Sequence, residues 1–326
     1  MSLIRYNNNM IDKRLLARLQ SKKARLDALR PLPTAPVRRL EEQLAIEWTY
    51  NSNAIEGSTL TLRETQLILE QGITIGGKSL REHIEVINHR DAIALVEALA
   101  ERQEPITAGV VRQLHALVLA RIDDDNAGQY RQLPVRIAGA AHEPPPAWEV
   151  PARMTDWADW LAAQEAAGAE PVELAAVAHH RLVSIHPFLD GNGRTARLLM
   201  NLVLLRAGYP PAIIARANRA QYYRALAAAD RGQSGLPSAD APLANLVGRA
   251  VERTLMLYLD ATTPQTAPPA PGDEWLPLRL AAEGTPYSQE YLSLLARTGR
   301  LEAMKRGRNW YTTAASIGRY RDSLNQ

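Results

Sequence analysis

The sequence predicts an all-α fold with one short β-hairpin flap, followed by a small C-terminal winged helix-turn-helix module. Three observations lead there. Ala, Leu, Arg and Glu dominate the 326 residues, and apolar side chains recur at three- and four-residue spacing over most of the chain. One stretch, residues 133–151, breaks that rhythm: its segment 135–137 alternates, and Pro144, Pro145 and Pro146 forbid a helix beyond it. Near the end, the uncharged run ATTPQTAPPAPG (261–272) reads as a semi-extended linker that sets off a compact terminal module.

Taken in order, the periodic pattern predicts helices over 38–50 and 63–70, the second opened by a Thr61/Glu64 capping box and stopped at Gly72. Further helices are expected over 83–101, 108–120, 152–164, 172–185, 195–207 and 217–229. The opening residues have neither the apolar run nor the small-residue cleavage site of a signal peptide. The most apolar run, 198–205, is far too short to span a bilayer, so the expectation is a soluble cytoplasmic protein with no membrane partner.

Composition narrows the chemistry. A net charge of +3, from 38 Lys and Arg against 35 Asp and Glu, makes no general case for nucleic acid; only a local basic patch can. Cysteine is absent, which excludes disulfides, iron–sulfur clusters, zinc–thiolate sites and a thiol nucleophile. A hydrophobic content of 46% allows a sizeable core without staples. The chain has 6 Trp and 11 Tyr but a single Phe, Phe188, inside its most informative segment.

That segment is HPFLDGNGRTAR, residues 186–197. A helix must end near Pro187; Gly191, Asn192 and Gly193 then allow positive φ, so that successive N–H groups converge as an anion-binding nest. A second helix starts at once and points its free N–H groups and positive dipole end into the same space. Arg194 and Arg197 share one face of its first turn, where cations oppose the macrodipole unless an anion sits between them. Asp190 offers a carboxylate for Mg²⁺, and His186 is the nearby group with an ordinary pKa suited to general-base work. Taken singly these residues have plainer readings: a turn, solvated arginines, a capping histidine, a core phenylalanine. A His179/His180/His186 metal site lacks the His-Glu-x-x-His spacing. The conjunction decides, since eight fixed residues in order arise by chance roughly once in 10¹⁰ positions.

HPFLDGNGRTAR resembles the signature of the Fic (filamentation induced by cyclic AMP) family at every defining position, and the resemblance runs from about Arg38 to Tyr258. It implies a helical core that transfers AMP from ATP to a hydroxyl side chain of a target protein, releasing pyrophosphate. His186 would deprotonate the target Ser, Thr or Tyr. Asp190 would hold Mg²⁺, Gly191, Asn192 and Gly193 would cradle the phosphates, and Arg194 and Arg197 would neutralise the β- and γ-phosphates. Phe188 would anchor the loop in the core. The death-on-curing branch, which phosphorylates its target and carries lysine in the loop, is less similar. Phosphocholine transfer is also known in the family.

Ser52-Asn53-Ala54-Ile55-Glu56-Gly57 is similar to the family's inhibitory motif, in which the glutamate pairs with the second signature arginine, here Arg197. An Arg–carboxylate fork competes directly with an Arg–phosphate fork. The plainer reading makes Ser52 and Glu56 surface residues at i,i+4 spacing. In some relatives the same glutamate supports AMP removal, which implies a possible reverse de-AMPylation. The resemblance also makes 133–151 the flap on which an extended target segment docks, and it puts Tyr222 and Tyr223 on the adenine side. A Tyr pair on an amphipathic helix serves equally as core, and Asp230 stands where some relatives carry Asn, which leaves adenine contacts there in doubt. The implied division is an N-terminal helical region with the inhibitory helix (1–100), a Fic catalytic core (101–260), the linker (261–272) and the winged-helix-like module (273–326).

Residues 72–79, GITIGGKS, match the P-loop pattern letter for letter. A P-loop needs a buried strand before it and a helix after it within a parallel sheet; here a capped helix precedes it, so that reading is rejected. In the terminal module, eight basic side chains face six acidic ones, and five of the eight fall between Arg297 and Arg308. Ser288 can cap a helix stopping at Gly299; a Lys-Arg-Gly-Arg turn then joins two short strands, and a last helix follows Thr313. The arrangement resembles a winged helix, with DNA as a partner through 288–313 and Arg306 and Arg308 on phosphates. The same surface reads as a packing or dimerisation module, which leaves a homodimer open. The expected function is therefore a protein adenylyltransferase autoinhibited by Glu56; the alternative is a DNA-binding transcriptional regulator whose Fic core senses ATP.

Overall fold

The computed structural model describes residues 10–137, 142–231, 240–262, 274–283, 285–307 and 309–323. It divides into two compact units, Met1–Thr262 and Thr263–Gln326. The first contains helices α1 (Lys13–Ala28), α2 (Thr34–Ile55), α3 (Leu62–Gln71), α4 (Leu80–Arg102) and α5 (Ala108–Leu119). It continues through α6 (Val150–Ala166), α7 (Pro171–Ile185), α8 (Asn192–Arg206), α9 (Arg219–Arg231) and α10 (Ala241–Thr262).

Local chemistry sets the ends of these helices. Thr61 and Glu64 form the expected capping box on α3, and Gly72 closes it at φ 66. Ser79 and Glu82 form a second box on α4. This is why the P-loop pattern has no P-loop geometry: α3 precedes it, and Lys78 Nζ donates to Thr59 O at 2.7 Å and Thr59 Oγ1 at 3.1 Å.

α7 and α8 form the centre. α7 buries residues all round its circumference, and every residue of α8 from Arg194 to Leu204 is buried, as in a helix covered on all sides. α4 and α5 pack on α8, while α6 and α10 pack on α7. A single hydrophobic cluster runs from Met10 to Leu259.

Two helices here were absent from the sequence-based expectation. α1 is mostly polar and buries only Leu15, Leu19 and Leu26; those three leucines seat it on α10. Gly248 makes the crossing close, since a Cβ there would stand 3.2 Å from Leu15 Cδ2. Ala261 and Thr262, the first two residues of the expected linker, belong to α10, and 263–273 fall outside the described residues.

The stretch 133–151 differs from a hairpin in detail. Among its described residues there is no strand; a 3₁₀ turn, Ala147–Glu149, leads into α6, which already contains Val150 and Pro151. Three consecutive prolines donate no N–H to a ladder, which explains the missing strand pairing. The tip, 138–141, lies outside the described residues.

The second unit holds β1 (Leu276–Pro277), α11 (Leu278–Ala282), α12 (Gln289–Arg297), β2 (Ala303–Arg306), β3 (Asn309–Thr312) and α13 (Ala314–Ser323). Its antiparallel sheet has the order β1-β3-β2, with Ala303 opposite Thr312 and Arg306 opposite Asn309. Ser288 accepts from Tyr291 N, as its capping role requires. Leu278, Leu292, Leu295, Leu301, Ile317 and Tyr320 make a separate small core. No helix among the described residues is long and apolar enough to cross a membrane.

Candidate active site

α7 stops where Pro187 requires it to. His186 closes the helix in the left-handed region, φ 48 and ψ 60, with its N–H donating to Leu182 O at 3.1 Å. A non-glycine residue held there costs about 1–2 kcal/mol, so the surroundings must enforce it. The His186 Nδ1–H points at Val183 O, 3.4 Å away, which leaves Nε2 as the basic nitrogen. Burial holds this imidazole below its ordinary pKa, which keeps it neutral and able to accept a proton.

The loop after it is bolted to the core. Phe188 is fully buried and stacks on the His115 ring, centroids 3.6 Å apart and planes within 3°. Asn192 returns its side chain to the same residue: Nδ2 donates to Phe188 O at 2.9 Å and Oδ1 accepts from Phe188 N at 3.0 Å. His115 Nε2–H donates to Asp190 O at 2.9 Å, while its Nδ1 accepts from Gly128 N at 2.9 Å. That pattern needs a neutral ring, and burial pushes the His115 pKa down to about 4.

The nest takes a simpler form than the glycines suggest. Gly191 alone adopts positive φ, 76°, whereas Asn192 and Gly193 are already the first residues of α8. A Cβ on Gly191 would press on the His115 ring at 3.3 Å. The loop thus ends in a helix N-terminus whose first N–H groups are unused by the helix, a geometry suited to an anion.

Both arginines are buried and paired. Arg197 Nη2 stands 2.8 Å from Glu56 Oε1. Its Nε donates to Ser52 Oγ at 3.0 Å, Nη2 to Ser52 O at 2.8 Å, and Nη1 to the Tyr222 hydroxyl at 3.4 Å. Burial alone would lower the Arg197 pKa, but Glu56 and Tyr222 outweigh it and raise it. Gly193 is where the glutamate enters: a Cβ there would lie 2.3 Å from Glu56 Oε1. Gly57 continues the chain at φ 111, a left-handed conformation after the end of α2.

Arg194 Nη1 lies 3.2 Å from Glu85 Oε1 and its Nη2 lies 3.5 Å from Asp190 Oδ1, while its buried Nε has no hydrogen-bond partner among the described residues. Asp190 also takes Arg81 Nη2 at 2.7 Å and Gly191 N–H at 2.6 Å. Burial pushes this carboxyl up; Arg194, the Gly191 N–H and Arg81 together pull it below the usual range, so it stays ionised.

Tyr222 is buried, its hydroxyl shared with Arg197 and with His179 Nε2 at 3.0 Å; it braces the arginine from behind. Tyr223 is partly exposed beside Ile55 O. Asp230 is taken by buried His180, whose Nε2 is 2.9 Å from Asp230 Oδ1. Arg306 ends β2 on the surface of the second unit, and Arg308 lies outside the described residues.

Arg81, Glu85, His115 and Arg131 belong to this arrangement although no sequence motif marks them. His115 and Arg131 are single polar residues on a helix and a loop, without a periodic or spacing signal. Only the i,i+4 pair Arg81–Glu85 had a readable pattern, and that pattern suggests a solvated helix face.

Fold and site together define a mostly helical protein built around the N-terminus of α8, with two buried arginines on that helix and a histidine before it. The model of the Fic/DOC family matches residues 105–204. A Fic-domain-containing signaling protein from Bacteroides thetaiotaomicron is 32% identical, covers 75% of this chain and 96% of its own, and superposes with a TM-score of 0.71. Fic-1 (residues 134–508) from C. elegans is 34% identical over 76% of this chain and 72% of its own, TM-score 0.67. The protein adenylyltransferase Fic of Drosophila willistoni is 38% identical over 260 residues, 79% of this chain. The chain belongs to the Fic family. It spans about half the length of the curated relatives it matches.

Proposed function

We propose that this protein is a self-restrained protein adenylyltransferase, moving AMP from ATP to a Ser, Thr or Tyr hydroxyl of a target protein or of itself. The observation that carries the reading is the Glu56–Arg197 pair at 2.8 Å, with Arg197 buried in the second turn of the helix whose N-terminus suits a phosphate chain and Glu56 partly exposed beside it. His186 Nε2 takes the target's hydroxyl proton, and the oxygen attacks the α-phosphorus. The bond to the β-phosphate oxygen breaks, and pyrophosphate leaves toward Arg194 and Arg197. The N–H groups at Gly191, Asn192 and Gly193 hold the phosphates, and Phe188 keeps the loop in register. Glu56, with Ser52 and Gly57 shaping its approach, occupies the γ-phosphate's place on Arg197 until it is displaced. Tyr223, the more exposed of the tyrosine pair, suits the adenine side.

The residues fit a magnesium ion that arrives with the nucleotide. Asp190 offers one ionised carboxylate, and among the described residues no group of three or more His, Cys, Asp or Glu is arranged to hold a metal, so phosphate and water oxygens would complete its shell. Held there by Asp190, Mg²⁺ would supply neutralisation of phosphate charge.

In this reading residues 1–100 carry the brake, 101–260 the chemistry, and 133–151 the docking flap, working in the cytoplasm; AMP removal by the same site belongs to the reading. A second reading concerns residues 273–326. The β1-β3-β2 order and the exposed Lys305–Arg306 hairpin support a winged helix that contacts DNA phosphates. The test is to incubate wild type, Glu56→Gly and His186→Ala with α-labelled ATP and Mg²⁺. Strong protein labelling by Glu56→Gly alone is expected. Silence from Glu56→Gly, together with a salt-sensitive shift of DNA, favours the ATP-sensing regulator instead.

A further inference from the structure

One buried cation lies outside every motif of the sequence. Arg131 is 2% exposed and, among the described residues, has no carboxylate partner. Its guanidinium is satisfied by carbonyl oxygens from three places. Nε donates to His186 O at 2.8 Å, Nη1 to Leu133 O at 3.1 Å, and Nη2 to Pro145 O at 2.5 Å. Its backbone N–H donates to Pro187 O at 2.9 Å. Leu133 and Pro145 lie on the two arms of the stretch read as a flap, and His186 is the residue held at φ 48. His142, on the second arm, adds a bond from Nε2–H to Ser184 O at 2.9 Å, on the last turn of α7.

We infer that Arg131 is a positioning residue: it locks the His186 backbone in its left-handed conformation and fastens both arms of the 133–151 stretch to that same carbonyl, so that base and docked target share one reference point. The inference rests on the reading of His186 as base and 133–151 as docking flap. A planar fork with donors fixed in one plane suits this task, because it joins three acceptors at set angles. A burial this complete, with carbonyls as the partners of a positive charge among the described residues, is hard to retain for packing alone. Misplacing a base by about 1 Å costs on the order of a hundredfold in rate, so the bracket has a large effect available to it.

The cation also acts on the imidazole. Burial is the main influence holding His186 low and the Val183 carbonyl opposes it; Arg131 adds to the depression, while Glu56 and Asp190 pull the other way.

The test uses Arg131→Met and Arg131→Lys, each in the full-length Glu56→Gly chain. His186 is titrated by NMR, its signal assigned by its loss in His186→Ala, and kcat and KM are measured with labelled ATP. Arg131→Met should raise the His186 pKa while the other histidines titrate as before. Arg131→Lys keeps the charge but cannot reach all three carbonyls, so His186 should titrate near its parental value. Both variants should lose about tenfold or more in kcat with the KM for ATP within about twofold. If Arg131 merely packs, thermal stability drops while the folded fraction keeps its parental kcat and His186 titration; that result overturns the inference. If Glu56→Gly itself transfers no label, the adenylyltransferase reading fails, and the His186 titration in Arg131→Met still decides whether the bracket acts on this histidine.

Discussion

The Glu56 carboxylate stands 2.8 Å from Arg197 Nη2, and Gly193 leaves it room to do so. Arg197 is also held by Ser52 and Tyr222, so in the proposed reading the guanidinium would stay in place when the carboxylate leaves and take a phosphate in its stead. A brake of this type acts by substitution of one anion for another. Glu56→Gly should therefore bind ATP in a productive pose and raise AMP transfer by at least about tenfold. Calorimetric titration of ATP into His186→Ala and into His186→Ala/Glu56→Gly separates binding from chemistry. An equal enthalpy and affinity in the two would mean that the pair does not obstruct the phosphates.

Asp190 carries a cation already. Arg81 Nη2 lies 2.7 Å from it on a partly exposed pair, and such pairs are worth about 0.2–1 kcal/mol. Removing that competitor by Arg81→Ala in Glu56→Gly should lower the Mg²⁺ concentration for half-maximal labelling, by up to about fivefold. A higher Mg²⁺ requirement would instead assign Arg81 to the nucleotide.

Phe188 is fully buried and lies flat on His115, so a hydroxyl added at the para edge of its ring has to be taken into the core. Phe188→Tyr should cost about 1–3 kcal/mol through an unpaired buried hydroxyl, read as a lowered urea midpoint, and should impair labelling with it. Unchanged labelling in the Glu56→Gly background would show that the loop tolerates a larger ring.

Acid should loosen the foundation of the loop. His115 titrates at about 4, and His89 and His179 at about 3, each lowered chiefly by burial from an ordinary 6.5. Between pH 6.5 and 4 the unfolded chain binds more protons at these sites than the folded one, so their contribution falls as pH drops through that window. His180 has the opposite sign: its folded pKa is raised by Asp230 and Asp240 against burial, so its contribution is lost as pH rises. Glu170, pushed by burial to about 7, also opposes the three histidines. The clean measurement is therefore a difference: the urea midpoint of His115→Gln should decline less steeply from pH 6.5 to 4.5 than that of the parent. Parallel curves would mean that His115 does not stay neutral.

Much of the site was legible because its chemistry is local. The string 186–197 packs a helix stop, a loop and a helix start into adjacent residues, and Thr61, Glu64 and Gly72 announce their helix by capping alone. What escaped is non-local. α1 shows only three buried leucines in a polar background, and its partner α10 carries a mid-helix glycine whose reason is the α1 leucines. Arg131 and His115 do their work through backbone atoms of the 186–190 loop, and a backbone acceptor leaves no mark in the sequence. The glycines misled in one respect: only Gly191 needs positive φ, whereas Gly193 is small so that Glu56 can approach.

The central claim, transfer of AMP by His186 under restraint by Glu56, meets its most direct test in the origin of the label. Glu56→Gly and Glu56→Gly/His186→Ala are each incubated with ATP labelled at the α-phosphate and, separately, at the γ-phosphate. The account predicts protein-bound label from α-labelled ATP alone, lost when His186 is removed. Label from γ-labelled ATP, or α-label that survives the His186 substitution, would contradict it.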